Sequence, residues 1–134
     1  KMDMKKITFY SILLLLAIVS CSTDEPEVIE EPKNPMIGTK WEAPDEIATL
    51  IWGSTISRLE FLDDKNFQDI SITKGVVRGT EDGTYTHKDG KVVLTYPKYF
   101  SDGRDRVLNC EVKGSLLITD QGQPSGGNMT YQKK

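Results

Sequence analysis

Few side chains in this sequence could do chemistry: it has a single histidine, His87, and two cysteines, Cys21 and Cys110. His87 could act as a general base only in a cleft beside acidic partners. The sequence holds neither a Gly-x-Ser-x-Gly elbow nor a Cys-Gly-Ser-Cys-Trp signature that would supply a nucleophile. A zinc site needs three or four ligands, and the chain offers one histidine and few thiols. We therefore predict that the protein is not an enzyme and holds no metal or other cofactor.

Acidic residues cluster at positions 63–64, 81–82 and 102–105. None of these clusters matches the calcium-binding loop motif, in which aspartates alternate with other residues and a glutamate follows further along. Aspartate is common in turns because its side chain bonds the nearby backbone, and this explains the clusters more simply. A carboxylate pair of the glycosidase kind depends on distance in space alone, so the sequence leaves that possibility open.

The N-terminal segment predicts export. Lys5 and Lys6 precede 13 uncharged residues at positions 7–19, and the small residue Ser20 and then Cys21 follow. A helix that crosses a membrane needs about 20 apolar residues, so this run is too short to be a stable span. Residues 1–20 therefore read as a cleaved secretion signal.

The tetrapeptide that ends in Cys21, at positions 18–21, resembles the lipobox of bacterial lipoproteins. The resemblance implies that diacylglycerol is attached to the Cys21 thiol, that cleavage occurs just before it, and that the acyl chains tether the protein to a membrane. The alternative is an ordinary signal peptide with Cys21 free or in a disulfide. A lipidated Cys21 has no thiol left, so we expect Cys110 to be unpaired and buried in a strand.

Residues 21–36 are predicted to form an extended tether. Positions 22–35 hold three prolines, five acidic residues and few large apolar ones, so they cannot form a core. Asp24 and Glu25, just after the cysteine, resemble the acidic surface-export signal of Bacteroidota lipoproteins. The resemblance implies an outer-membrane protein that faces the cell exterior. The inner membrane and the periplasmic face remain alternatives.

Charge argues against nucleic acid as a partner. The formal net charge is -3, and the only basic run outside the N-terminal segment is Lys133-Lys134 at the chain end. A nucleic-acid-binding domain would carry a basic patch or stripe.

Residues 37–134 predict a single small all-β domain of short antiparallel strands. The clearest hairpin turns at Asp89-Gly90, a type I′ signal, and pairs Lys88 with Lys91. Counting outward from this turn puts one set of residues on the core face: Tyr85, His87, Val92, Leu94 and Tyr96.

Further turns are predicted along the domain. Lys113-Gly114 would join a second hairpin, and Lys74-Gly75 and Asp82-Gly83 are turn signals. Phe61 and Phe67 would share one face across a three-residue loop, with Asn66 in the left-handed conformation. Residues 129–133 would form the closing strand.

One segment, residues 44–52, favours a short helix. Pro44 suits the first helical position, Asp45 and Glu46 suit the positive end of the helix dipole, and Gly53 can end the helix. Isoleucine and threonine in this segment also suit a strand, so the sequence leaves that alternative open.

Short motifs from Gly38-Thr39-Lys40-Trp41 to the strand at 129–133 resemble the small lipocalin-like lipoproteins of Bacteroidota. The resemblance covers residues 38–134 and implies a small antiparallel meander barrel of about eight short strands, with Trp41 closing one end. Closure would remove exposed strand edges. A barrel of this size holds either packed side chains or one small ligand.

Aromatic residues are the candidate ligand contacts at a barrel rim: Trp52, Tyr96, Tyr99 and Phe100. One hypothesis is a lipid-anchored module that binds an apolar or glycan-like small ligand. The other is a structural subunit with a packed core that contacts a surface protein, which an apolar outer face at Leu116 and Ile118 would favour.

Overall fold

Antiparallel strands that follow one another along the chain close into a barrel. The computed structural model describes residues 33–122 and 128–134, called the described residues below. Cys21, Asp24, Glu25, the secretion signal and the tether up to residue 32 lie outside them. The strands are β1 (Lys40–Pro44), β2 (Thr55–Phe61), β3 (Asn66–Thr73), β4 (Val76–Lys88), β5 (Lys91–Tyr96), β6 (Arg106–Lys113), β7 (Leu116–Gly122) and β8 (Asn128–Lys133), and the helix α1 (Glu46–Trp52) joins β1 to β2.

Each strand pairs with the next, and β1 pairs with β8 to close the sheet. The closing register is short and joins Trp41 with Lys133 and Glu42 with Gln132. The predicted all-β meander of about eight strands with one short helix is therefore confirmed. All of these elements lie within Asn34–Lys134, one compact unit, so this part of the chain carries a complete core of its own.

The barrel has two different ends. The closed end carries the chain entry at residues 34–39, the loop 62–65 and the turns at 89–90 and 114–115. The other end, called the mouth, carries α1, the Lys74-Gly75 turn and the loop 97–105. The β7–β8 connection at 123–127 lies outside the described residues.

Two hairpin predictions are confirmed by backbone geometry. Asp89 and Gly90 have φ of 51° and 75°, as a type I′ turn requires, and Lys88 pairs with Lys91. Lys74 and Gly75 turn in the same way, with φ of 50° and 78°.

Three local predictions are wrong in detail. β4 runs straight through Asp82-Gly83, where a turn was predicted. Asn66 is not left-handed, because Asp63 accepts the N–H groups of Lys65 and Asn66 and stabilises the loop without a positive φ. The second hairpin pairs Lys113 with Leu116, whereas the predicted two-residue loop at Lys113-Gly114 would pair Val112 with Ser115, so the register differs by two residues. A shift of two keeps every side chain on its predicted face.

The helix is present, and it begins at Glu46, two residues later than the prediction that put Pro44 in its first position. Pro44 ends β1. Asp45 is the N-cap, and its carboxylate accepts the Ala48 N–H at 2.9 Å. Gly53, with φ of 90°, follows the last turn.

Large apolar and aromatic side chains fill the interior between the closed end and the middle of the barrel. Phe61 and Tyr85 meet edge to face at 4.7 Å, and Phe67 meets Tyr96 at 5.2 Å. The core also extends before residue 37, because the predicted tether residue Met36 is buried in it. The remaining core members are Trp41, Ala43, Leu59, Val92, Leu94, Leu108, Cys110, Leu117 and Tyr131.

Cys110 is an unpaired, buried thiol, as predicted. Burial and the nearby Asp120 carboxylate raise its pKa to about 12. A thiol with such a pKa remains protonated at neutral pH and is a poor nucleophile, so Cys110 is a packing residue.

Gly83→Ala should destabilise the barrel by about 1–3 kcal/mol, because the core has no room for an added carbon. A Cβ at Gly83 would overlap the Phe67 ring and lie 2.7 Å from the Thr95 carbonyl oxygen. The measurement is urea unfolding followed by tryptophan fluorescence. Gly79→Ala on the same strand is the matched control: a Cβ there meets nothing within 4 Å, so stability should hold or rise slightly. Equal stability of the two variants would contradict the packing argument.

Candidate binding site at the barrel mouth

A half-open cleft of about 320 Å³ lies between α1 and the loop 97–105. Polar and apolar atoms contribute similar shares of its wall, and the polar part includes the acidic residues Asp45 and Glu46 and the cationic Arg106. The apolar part of the lining consists of Pro44, Ile47, Ala48, Ile51, Trp52, Tyr99 and Met129. We call this space the mouth cleft.

The helix exposes apolar residues because polar bonds at its ends hold it in place. Thr49 Oγ1 accepts the Thr55 N–H at 3.0 Å, and the Gly53 N–H donates to the Thr49 carbonyl. Ala48 is the one buried residue of α1. Ile51 and Trp52 are therefore left 62% and 60% exposed. Exposed apolar residues that adjoin one another commonly mark a binding site.

Aromatic rings and an arginine form the opposite wall of the cleft. Tyr99 meets Tyr96 edge to face at 5.9 Å, and it meets Phe100 in the same way at 5.3 Å. The Arg106 guanidinium lies 4.9 Å from the Tyr99 ring centre and 5.5 Å from that of Tyr96. Within the described part of the chain, no carboxylate comes within ion-pair distance of Arg106. Its planar donors are therefore available to a ligand.

A polar pocket of about 120 Å³ lies inside the barrel beneath the cleft. Asp69 is at its centre and accepts hydrogen bonds from Ser57 Oγ at 2.8 Å and from the Tyr96 hydroxyl at 2.9 Å. The Tyr131 hydroxyl lies 3.0 Å from Ser57 Oγ. Because Ser57 donates to Asp69, Tyr131 must donate to Ser57. We call this pocket the polar well.

Burial dominates the electrostatics of the well. It raises the pKa of Asp69, against the opposing effect of the hydrogen bonds from Ser57 and Tyr96. Glu81, directly across the β3–β4 register from Asp69, also has a raised pKa, from burial and from the Asp69 charge. Burial and the same charge raise the pKa of Tyr96 and of Tyr131, so both hydroxyls stay protonated and can donate.

The cleft and the well are adjacent, because Asp45, Arg106 and Met129 line both. A ligand could therefore lay an apolar body against α1 and extend a hydrogen-bonding group towards Asp69. Hydroxyl and amine groups suit the carboxylate, and acidic or hydroxyl groups suit Arg106.

The structure brings together some of the predicted rim residues. Trp52 and Tyr99 line the cleft. Phe100 lies beside it, 43% exposed, with the Arg104 guanidinium 5.4 Å from its ring centre. Tyr96 lies deeper, with only 1% of its surface exposed, and only its hydroxyl belongs to the well. Trp41 lies near the closed end, buried, and its indole N–H donates to Thr39 Oγ1 at 2.8 Å.

Sequence reasoning missed the polar half of the site: Ser57, Asp69, Arg106 and Tyr131. A signal for part of it was present. Once Phe61 and Phe67 are assigned to the inner face, counting back four residues from Phe61 reaches Ser57, and counting forward two from Phe67 reaches Asp69.

His87 lies near the closed end, next to the Asp89-Gly90 turn, and does not line the cleft or the well. Within residues 33–122 and 128–134, no group of three or more histidine, cysteine or acidic side chains could hold a metal ion. Over the same ranges, no helix has the length and hydropathy needed to cross a membrane. Comparison with known proteins finds no matching family model, no similar curated protein and no similar solved structure.

Asp69→Asn should change how stability depends on pH. The folded pKa of Asp69 lies above the ordinary value of 3.8, so the native state keeps this proton to higher pH than the unfolded chain does. The stability from Asp69 is fully present below the ordinary pKa and is lost as pH rises through the folded pKa. In D69N that loss should be absent, so the free energy of unfolding should fall less between about pH 4 and about pH 7 than in the wild type.

The measurement is urea unfolding at a series of pH values. Asp64→Asn is the control, because Asp64 is an exposed residue of the loop 62–65 and its variant should follow the wild-type curve. A D69N curve that runs parallel to the wild type would contradict the burial argument.

Proposed function

We propose that this protein is a lipid-anchored module of the outer-membrane surface that binds an amphipathic small ligand, apolar or glycan-like, at the barrel mouth. The observation that carries the proposal is that the mouth cleft, with its apolar side chains, adjoins the polar well. Such a combination of an apolar wall and a few convergent polar groups is typical of small-molecule sites. The proposed location at the outer-membrane surface rests on Cys21 and on the acidic pair Asp24 and Glu25.

The mouth supports this role better than the barrel interior does. Aromatic and aliphatic side chains occupy the interior from the closed end to the level of Leu94 and Leu108. The polar well above them, at about 120 Å³, has room for a polar group or a few waters but not for a whole ligand. The body of the ligand would therefore lie outside the barrel wall, against α1.

The position of the chain entry supports presentation of the mouth. The barrel unit begins at Asn34, whose side-chain amide donates to the Tyr85 hydroxyl at the closed end. The mouth is at the opposite end of every strand. A tether attached at the closed end would leave the mouth accessible to molecules outside the membrane.

Binding fits the described chemistry better than catalysis does. His87 is near the closed end, away from the acidic residues of the mouth. The two buried tyrosine hydroxyls have raised pKa values, which suits hydrogen-bond donors and not bases. The proposal therefore includes no reaction.

A second candidate function is contact with a surface protein through the outer side of α1. Leu50 is 88% exposed and lies outside the mouth cleft. A large apolar side chain this exposed, next to Ile51 and Trp52, is a typical part of a protein interface. Leu116 and Ile118, which the sequence suggested for this role, are only partly exposed.

Trp52→Ala should weaken small-ligand binding by about ten-fold or more, because a buried aromatic contact is often worth over 1.4 kcal/mol. Its exposure means that the barrel should remain folded. The measurement is calorimetric titration of a chain that starts at Ser22 with bile acids, fatty acids and neutral or acidic oligosaccharides. Leu50→Ser is the matched control on the same helix, and it should bind the small ligand as the wild type does.

The two variants also separate the two candidate functions. Loss of ligand binding in W52A alone supports the mouth cleft. If no small molecule binds and L50S instead abolishes association with a surface protein, the small-ligand proposal fails and the protein-contact function takes its place.

Cys21→Ser should release the protein from the membrane fraction, because no thiol remains to carry the acyl chains. The measurement is detergent phase partitioning together with incorporation of labelled palmitate in a Bacteroidota host. Replacing Asp24 and Glu25 by alanine should keep the anchor but protect the protein from protease added to intact cells. Glu30→Ala with Glu31→Ala is the charge-matched control and should leave the protein accessible. Unchanged partitioning of C21S would contradict the lipid anchor.

A further inference from the structure

Closure of the barrel leaves part of β4 paired with one neighbouring strand and not with two. β4 is the longest strand, but it pairs with β5 only from Thr84 to Lys88. Its earlier part, residues 76–82, pairs with β3 alone. Within the described ranges, no strand lies along the other side of this part, which we call the open edge.

The hydrogen bond of the Tyr85 N–H shows which way the unpaired backbone groups of the open edge point. The Tyr85 N–H donates to the Lys65 carbonyl at 2.7 Å, on the β3 side. Backbone groups of successive residues point to alternate sides of an antiparallel strand. The N–H and C=O groups of Thr80 and Asp82 therefore point to the open side. Among the described residues, no backbone hydrogen bond outside the strand ladders reaches them.

Two features near the open edge suit a close approach by another backbone. Residues 76–82 are all exposed. Gly79 has no neighbour within 4 Å of where a Cβ would be, so packing within the barrel does not require a glycine there. A glycine inside a strand often marks a bulge, and Gly79 directly follows the bulged residue Arg78. The bulge at Arg78, where the register shifts between Ser71 and Ile72, interrupts only the far end of the edge.

The charges beside the open edge favour binding of a positively charged side chain. Glu81 lies on the inner side of β4, opposite Asp69, and the two carboxylates repel each other. Asp82, on the outer side, has the neutral Gln68 amide, at 2.8 Å, as its one side-chain partner among residues 33–122 and 128–134. Arg106 is the one cation that acts on both inner carboxylates within the described part of the chain. A basic side chain placed here would reduce the repulsion.

We propose that residues 79–82 of β4 accept an extended segment of a partner protein as an added strand, with a lysine or arginine of that segment facing Glu81 and Asp69. Backbone hydrogen bonds to Thr80 and Asp82 would supply affinity, and the acidic pair would select the basic side chain. This site shares Asp69 with the polar well, but its backbone contacts lie on β4, outside the residues that line the mouth cleft.

The test uses two defined probes, acetyl-Thr-Val-Lys-Val-Thr-amide and the same peptide with Glu in place of Lys. The probes are titrated into the ¹⁵N-labelled chain that starts at Ser22. Binding of the Lys peptide should shift the amide signals of Thr80 and Asp82 and slow their hydrogen exchange at least ten-fold. The Glu peptide should bind at least ten-fold more weakly.

Thr80→Pro removes one outward N–H and leaves the β3 ladder intact, and proline is tolerated at a strand edge of this kind. It should weaken peptide binding at least ten-fold. Thr80→Val is the matched control, because it keeps the N–H and the β-branched shape, and it should bind normally. A Lys peptide that carries an N-methyl group on its central amide tests the same bond without changing the protein.

The outcomes decide the proposal. No protected amide at millimolar peptide, or equal binding by T80P and T80V, would overturn it. Concentration-dependent dimers that T80P abolishes would assign the edge to a second copy of this chain and overturn the partner-segment proposal. Trp52→Ala should leave peptide binding unchanged, so failure here is distinguishable from failure of the mouth-cleft proposal.

Discussion

The pairing of β1 with β8 is the constraint on which the other features of the barrel depend. Once the sheet is closed, alternate residues of each strand must face an interior that eight strands make only wide enough for side chains. At the closed end this space is filled by rings packed edge to face, such as Phe61 on Tyr85. Packing of this kind stabilises the barrel, and it also excludes a ligand from the centre. A small ligand would therefore have to bind at the mouth.

At the mouth the same closure brings polar residues inward, and their burial has to be compensated. Asp69 is an example, because a buried carboxylate without partners would be strongly destabilising. Two hydroxyl donors, from Ser57 and Tyr96, compensate part of that cost. Every buried side-chain nitrogen and oxygen of the described residues has a hydrogen-bond partner. The well is thus an ordered set of donors and acceptors, which favours a ligand that adds bonds to it without displacing the existing ones.

Features set by neighbouring residues were predictable from the sequence, and features set by distant residues were not. The Asp89-Gly90 turn follows from the conformational freedom of those two residues, and its register was predicted correctly. Gly83 was misread as part of a turn, because the reason for a glycine there is the Phe67 ring on another strand. Trp52 and Tyr99 were predicted at the rim from their residue types. Asp69 was missed, because its partners Ser57 and Tyr96 come from two other strands.

The division of the barrel into two ends also explains how it tolerates an exposed apolar helix and an unpaired strand edge. The aromatic core and the chain entry lie towards the closed end, while α1 and the open edge of β4 lie at the mouth, where few core contacts depend on them. Within α1 only Ala48 is buried, so the helix contributes little apolar burial to stability. Residues at the mouth can consequently be substituted with little loss of stability, because the barrel that holds them in place is stabilised elsewhere.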